Sequence, residues 1–90
     1  MRPMSDMELR ARLAAGDLGA LADAYDRHAP YVYGVAVTVT GSRAHAEEIT
    51  QSVFAALWEE PLTYDPALGS LRGWLVGRAL HESALRTQVG

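Results

Sequence analysis

The stretch from Ala44 to Trp58, AHAEEITQSVFAALW, constrains the fold more than any other part of the chain. Ala46, Ile49, Val53 and Leu57 recur at helical spacing, and Phe54 and Trp58 widen that apolar stripe. Across from them run Glu48, Gln51, Ser52, Ala55 and Glu59, a second stripe that is polar and acidic. The pattern predicts one amphipathic helix with two usable faces. Ser42 is its predicted N-cap. Glu47 and Glu48 follow within about two turns, where the helix dipole favours carboxylates. The first stripe should build a core. The second has no task inside a monomer, so it faces water or a partner.

Ninety residues make one small domain, 1–90. A domain of this size buries roughly 60–65% of its unfolded surface, so its core is marginal. There is no cysteine, which removes disulfides and thiolate metal sites. The N-terminal segment MRPMSDMELRARL lacks the apolar run of a signal peptide. The longest apolar run, around Tyr31 to Val39, is about half the length that crosses a membrane. A soluble, cytoplasmic protein with no membrane partner is expected. His28, His45 and His81 share no ligand spacing, and His81 and Ser83 have no carboxylate to complete a triad. No metal, no cofactor and no enzymatic activity are therefore expected.

Charge is unevenly spread. The formal net charge is −3, all eight basic residues are arginine, and the excess of acid sits in the middle. Residues 42–66 carry Arg43 against Glu47, Glu48, Glu59, Glu60 and Asp65, whereas residues 67–90 carry Arg72, Arg78 and Arg86 against Glu82. An acidic centre favours a basic partner surface, and the basic end can meet phosphate. The whole chain is a poor duplex binder by itself, because nonspecific affinity comes mainly from neutralised phosphates.

Along the chain, Ser5-x-x-Glu8 is a capping-box pattern that opens a helix from Asp6 to Ala15, closed by Gly16. Asp17 caps the next helix, in which Leu18, Leu21, Ala22, Tyr25 and His28 share the expected buried face. Pro30 either begins a new helix or kinks a long one. The stretch YVYGVAVTVT is rich in β-branched residues, but Val32, Val35, Ala36 and Val39 fit a helical stripe, and helix is predicted up to Gly41. Residues 60–69, EPLTYDPALG, read as a loop. Ser70 then caps a last helix from Leu71 to about Thr87, whose early face is Leu71, Trp74, Leu75 and Arg78. Gly73 and Gly77 weaken it by roughly 1 kcal/mol each relative to alanine. The fold class is all-α: three or four helices around one core, with Trp58 and Trp74 as anchors.

The residues Ala46-Glu47-Glu48-Ile49-Thr50-Gln51-Ser52-Val53-Phe54, followed by Ala56-Leu57-Trp58, resemble region 2 of the extracytoplasmic-function sigma factors of bacterial RNA polymerase. The lead-in Tyr25-Asp26-Arg27-His28-Ala29-Pro30-Tyr31-Val32-Tyr33-Gly34 is similar as well. So is Tyr64-Asp65-Pro66, continuing into Gly69-Ser70-Leu71-Arg72-Gly73-Trp74-Leu75. The resemblance runs over residues 17–75. It implies a compact helical domain of the sigma region 2 type. It also implies docking on the clamp helices of the polymerase β′ subunit through Glu47, Glu48, Gln51, Ser52 and Ala55. The loop and last helix would engage the non-template strand of the −10 promoter element, only within the holoenzyme, through Tyr64, Arg72, Arg78 and His81. An anti-sigma factor is a further partner that the resemblance allows.

The bland readings stand beside these. A polar stripe on a helix is most often a solvated face. Tyr64 either covers the core or stacks on a base. Arg72 and Arg78 are either phosphate contacts or ordinary surface cations. The last helix departs from the family pattern: Ala79, Leu80 and His81 stand where Ala, Arg or His, and Asn are common, and Glu82 stands where a base is frequent. Nothing in the 90 residues resembles the helix-turn-helix that reads the −35 element. The rival expectation is a region 2 relic that binds polymerase or an anti-sigma factor without reading promoters.

Overall fold

The computed structural model describes residues 3–87. Helix α1 (Asp6–Ala14) begins at Ser5, whose hydroxyl accepts the Glu8 amide at 3.2 Å. It ends before Gly16, which turns the chain at φ 81°. Helix α2 (Leu18–Thr40) starts on the Asp17 carboxylate, which accepts the Gly19 amide at 2.9 Å. Gly41, at φ 67°, closes it by donating its N–H to the Val37 carbonyl. Helix α3 (Arg43–Glu59) opens at Ser42, whose hydroxyl accepts the His45 amide. A 3-10 turn over Pro61–Thr63 and an irregular stretch lead to helix α4 (Leu71–Thr87). Among the described residues there is no strand, and the all-α class is as expected. None of the described helices is long and apolar enough to cross a membrane.

The core collects Leu9 and Leu13 from α1, Ile49, Val53 and Leu57 from α3, and Leu71 and Leu75 from α4. The apolar stripe read for α3 is the stripe it buries. Helix α2 differs from its reading. Leu18 is 67% exposed and Tyr25 is 45% exposed, while Ala20, Ala24, His28, Val32 and Ala36 turn inward. Four-residue spacing of small side chains lets α2 lie close to α3 and α4, with which it packs most extensively. Larger residues at those positions would hold the helices apart. Val39 is likewise 39% exposed, and Val35 is only half-buried.

Pro30 lies inside α2, and the helix continues through it. An interior proline costs about 3 kcal/mol by losing its N–H bond and crowding the preceding turn. His28 and Ala29 before it and Val32 and Ala36 after it are all buried, so core packing on both sides of the proline offsets that cost. Trp58 and Trp74 are half-buried and pack against the edge of the core rather than within it.

Helix α1 ties the distant parts together. Arg10 donates through Nε to the Tyr64 carbonyl at 2.7 Å and through an Nη to the Leu62 carbonyl at 3.3 Å. Asp6 Oδ2 accepts the Leu71 amide at 2.9 Å, capping a helix 65 residues further on. Ser70 caps the same helix by accepting the Gly73 amide at 3.0 Å. Asp6→Ala should therefore cost about 1 kcal/mol, as loss of a helix cap does, with fraying confined to the start of α4. Hydrogen exchange at the amides of Leu71 and Arg72 checks this. The exchange rates there rise if Asp6 is the cap and stay as they are if it is not.

Candidate functional site

A groove runs between the outer faces of α2 and α3. Its α2 wall is Leu18, Leu21, Ala22, Tyr25, Asp26, Ala29, Pro30 and Tyr33. Phe54 forms the floor at 4% exposure, and the Tyr25 ring leans on it with centroids 4.9 Å apart. Glu47, Gln51, Ala55 and Trp58 supply the α3 wall. Ala22 and Ala55 are small enough to leave it open. One end, around Leu18 and Trp58, is apolar, whereas Asp26, Glu47 and Gln51 make the other acidic and polar. Pro30 has no N–H to offer the Asp26 carbonyl one helical turn back, so the backbone adds an acceptor there. The groove suits a helical partner with an apolar stripe and flanking cations.

The five residues expected on this side of α3 divide. Glu47, Gln51 and Ala55 line the groove. Glu48 and Ser52 are exposed, about 100° further round the helix, and face away from it. Glu48 already has a partner, since Arg86 of α4 reaches its carboxylate at 2.8 Å. Tyr25, Asp26 and Tyr33 on the opposite wall were missed by sequence reasoning, which had put Tyr25 in the core. The competing run Ala20, Ala24, Val32 and Ala36 was the available signal that this face of α2 points outward.

The four residues expected to face nucleic acid also divide. Tyr64 is 2% exposed, and its hydroxyl donates to the Gly69 carbonyl at 2.9 Å. Its ring sits edge-on to Trp74, with centroids 6.2 Å apart. Burial raises the Tyr64 pKa, and the nearby Asp6 charge adds to the effect. In this conformation the phenol packs inside the domain and offers no face to a base. Arg78 and His81 are exposed together beside Gly73, Gly77 and Trp74 in a shallow recess on α4, which the half-buried Glu82 also lines. The Arg78 guanidinium lies 5.2 Å from the Trp74 ring centroid. Gly73 and Trp74 also line a second recess with Thr63, Asp65, Leu68, Gly69, Ser70 and the buried Tyr64, so the loop and α4 share one hollow surface. Arg72 is not part of it. It turns toward α2, where its guanidinium covers the Tyr31 ring at 3.8 Å and its Nε donates to His28.

The family model that matches this chain is described as sigma-70 region 2, and it aligns with residues 24–88. The chain belongs to the sigma-70 region 2 family. That match takes in all of α3, the loop, α4 and most of α2, and every candidate residue from Tyr25 to His81 falls inside it. The chain is 34% identical over 79 residues to the ECF RNA polymerase sigma factor SigK of Mycobacterium tuberculosis (strain H37Rv) and to that of Mycobacterium bovis (strain BCG / Pasteur 1173P2). Each alignment covers 87% of this chain and 42% of the relative. The SigK of Mycobacterium sp. (strain KMS) is also 34% identical, over 73 residues, covering 80% of this chain and 38% of that one. This region 2 chain thus spans less than half the length of the curated relatives it matches. No solved structure gave a significant match.

Proposed function

We propose that this chain acts in transcription initiation, as the polymerase-docking and −10-engaging domain of an extracytoplasmic-function sigma factor. The observation that carries the reading is the groove of α2 and α3, in which Asp26, Glu47 and Gln51 rim an apolar trough left outside the core. The clamp helices of the polymerase β′ subunit are the proposed occupant. A basic amphipathic coiled coil offers the charge and shape that such a trough lacks. The recess of the loop and α4, with Arg78 and His81, is the proposed contact for the non-template strand. Arg72 would hold a phosphate beside it. The chain contributes binding rather than catalysis, and the cytoplasm is where its partner works.

A second reading rests on one observation. Tyr64, the aromatic candidate for base stacking, is packed away, and that favours a domain that docks without reading promoters, or one that serves an anti-sigma factor. One experiment separates the two. The chain is mixed with core polymerase and a forked promoter fragment whose −10 element is single-stranded on the non-template side. The sigma reading predicts a ternary complex that needs the polymerase. The relic predicts polymerase binding with the fork left free. With a net charge of −3, the chain alone should not bind duplex DNA. Tight, salt-sensitive duplex binding would contradict both.

A further inference from the structure

His28 is a buried polar residue in the middle of the α2 core face, 6% exposed. Its Nδ1 lies 3.2 Å from Arg72 Nε. Nε always carries a proton, so in this contact Nδ1 is the bare nitrogen of a neutral ring and Nε2 carries the proton, buried without a hydrogen-bond partner among the described residues. The guanidinium is held in two further ways. Its flat face lies on the Tyr31 ring at 3.8 Å, and one Nη reaches toward the Arg27 carbonyl at the long distance of 3.5 Å. None of the ion pairs among the described residues involves Arg72. Three contacts therefore fix its plane while none neutralises its charge. An arginine held in this way loses little freedom when a phosphate arrives, and its outer N–H groups form the fork that phosphate oxygens fit.

We propose that His28 is the positioning residue for Arg72, its neutral imidazole holding the guanidinium on Tyr31 so that the outer edge is presented to a backbone phosphate of the promoter strand. The inference rests on the promoter-contact reading of Arg72 for its ligand, but the positioning itself is a property of the free domain. The charges around His28 come from three helices: Arg72 of α4, Asp6 of α1, and Arg27 and Asp23 of α2. Burial foremost, and then the Arg72 charge, lower the His28 pKa from its ordinary 6.5, and Asp6 opposes them. Protonation would remove the acceptor and set a second cation against the guanidinium. The arrangement therefore holds at neutrality and comes apart in acid.

The test uses the 90-residue chain and three variants: His28→Asn, His28→Leu and Arg72→Ala. Asparagine can put an oxygen where Nδ1 stands, and leucine cannot. The Arg72 Nε–H signal is followed by nitrogen-15 NMR, with circular dichroism to establish that each variant is folded. Wild type and His28→Asn should share a displaced Nε–H signal near neutrality. Acid should return the wild-type signal to the position of a solvent-exposed arginine, with a midpoint below 6.5, and leave His28→Asn in place. His28→Leu should show the exposed position throughout. The wild-type acid titration alone decides the matter if His28→Leu fails to fold. In the ternary complex with polymerase and forked promoter, Arg72→Ala and His28→Leu should each weaken DNA binding roughly tenfold, while His28→Asn keeps it. A wild-type Nε–H signal that ignores acid, or one unchanged in His28→Leu, overturns the positioning. If the signal behaves as described but Arg72→Ala binds the fork normally, the phosphate assignment is overturned and the positioning survives.

Discussion

Tyr64→Ala is expected to destabilise the domain by about 3–5 kcal/mol, the cost of deleting a large aromatic side chain from a packed core. A small domain has only about 5–10 kcal/mol to lose, so the variant should lose much of its stability margin and unfold at a far lower urea concentration. The cause is local and specific. Tyr64 is buried at the junction of the loop with α1 and α4. Its hydroxyl donates to the Gly69 carbonyl, and Arg10 of α1 holds its own carbonyl. Removing the ring leaves a void under Trp74 and frees the loop at the same time. Tyr64→Phe keeps the ring and loses one hydrogen bond, for about 1 kcal/mol. Urea unfolding followed by circular dichroism distinguishes this from a base-stacking role. A tyrosine held ready for a base would yield an alanine variant about as stable as wild type. The raised pKa of Tyr64 points the same way. The fold prefers the neutral phenol, so this stabilisation is intact below the unfolded value near 10.0 and fades as pH rises above it.

The second large effect concerns the groove. Asp26→Arg together with Glu47→Arg reverses the charge of its rim on both walls. Binding to core polymerase should fall by a factor of about 100 or more, since like charges facing each other across an interface cost several kcal/mol. Both side chains are exposed, so the fold should be intact, and unfolding curves verify that. Glu48→Arg should do much less to docking, because Glu48 faces away from the groove and is engaged by Arg86. Its own cost is the loss of an exposed ion pair, about 0–1 kcal/mol of stability. The contrast between two neighbouring glutamates is what makes the pair of variants useful. A general effect of acidic charge would weaken binding equally for both.

How far the sequence could be read depended on side-chain size. In α3 the inward residues are large, so Ile49, Val53 and Leu57 declared their face by hydropathy alone. In α2 the inward residues are mostly alanines, and the bulky apolar residues Leu18 and Tyr25 lie outside. A reading that weighs bulk assigns that face to the core, when close helix approach required the opposite. The groove was therefore half legible. Glu47, Gln51 and Ala55 were found on α3, and Tyr25 and Asp26 across from them were not. Local caps were legible, because Ser5, Asp17, Ser42 and Ser70 act within three residues of themselves. The Asp6 cap on α4, the Arg10 bonds to the loop and the Arg86 pair with Glu48 were not. They join residues 38 to 65 positions apart, and no local pattern encodes such distances. Tyr64 was left between two roles for the same reason: its burial depends on α1, far away in the chain.

Docking through the groove is tested by mapping any surface of the chain that the clamp helices perturb. The nitrogen-15-labelled chain is titrated with a fragment carrying the β′ clamp helices, and the perturbed amides are assigned. They should cluster on Tyr25, Asp26, Glu47, Gln51 and Ala55, the two walls of the α2 and α3 groove, and vanish in the charge-reversed variant. Perturbations gathered instead around Arg78 and His81 on α4, or none while intact core polymerase still binds the chain, would contradict it.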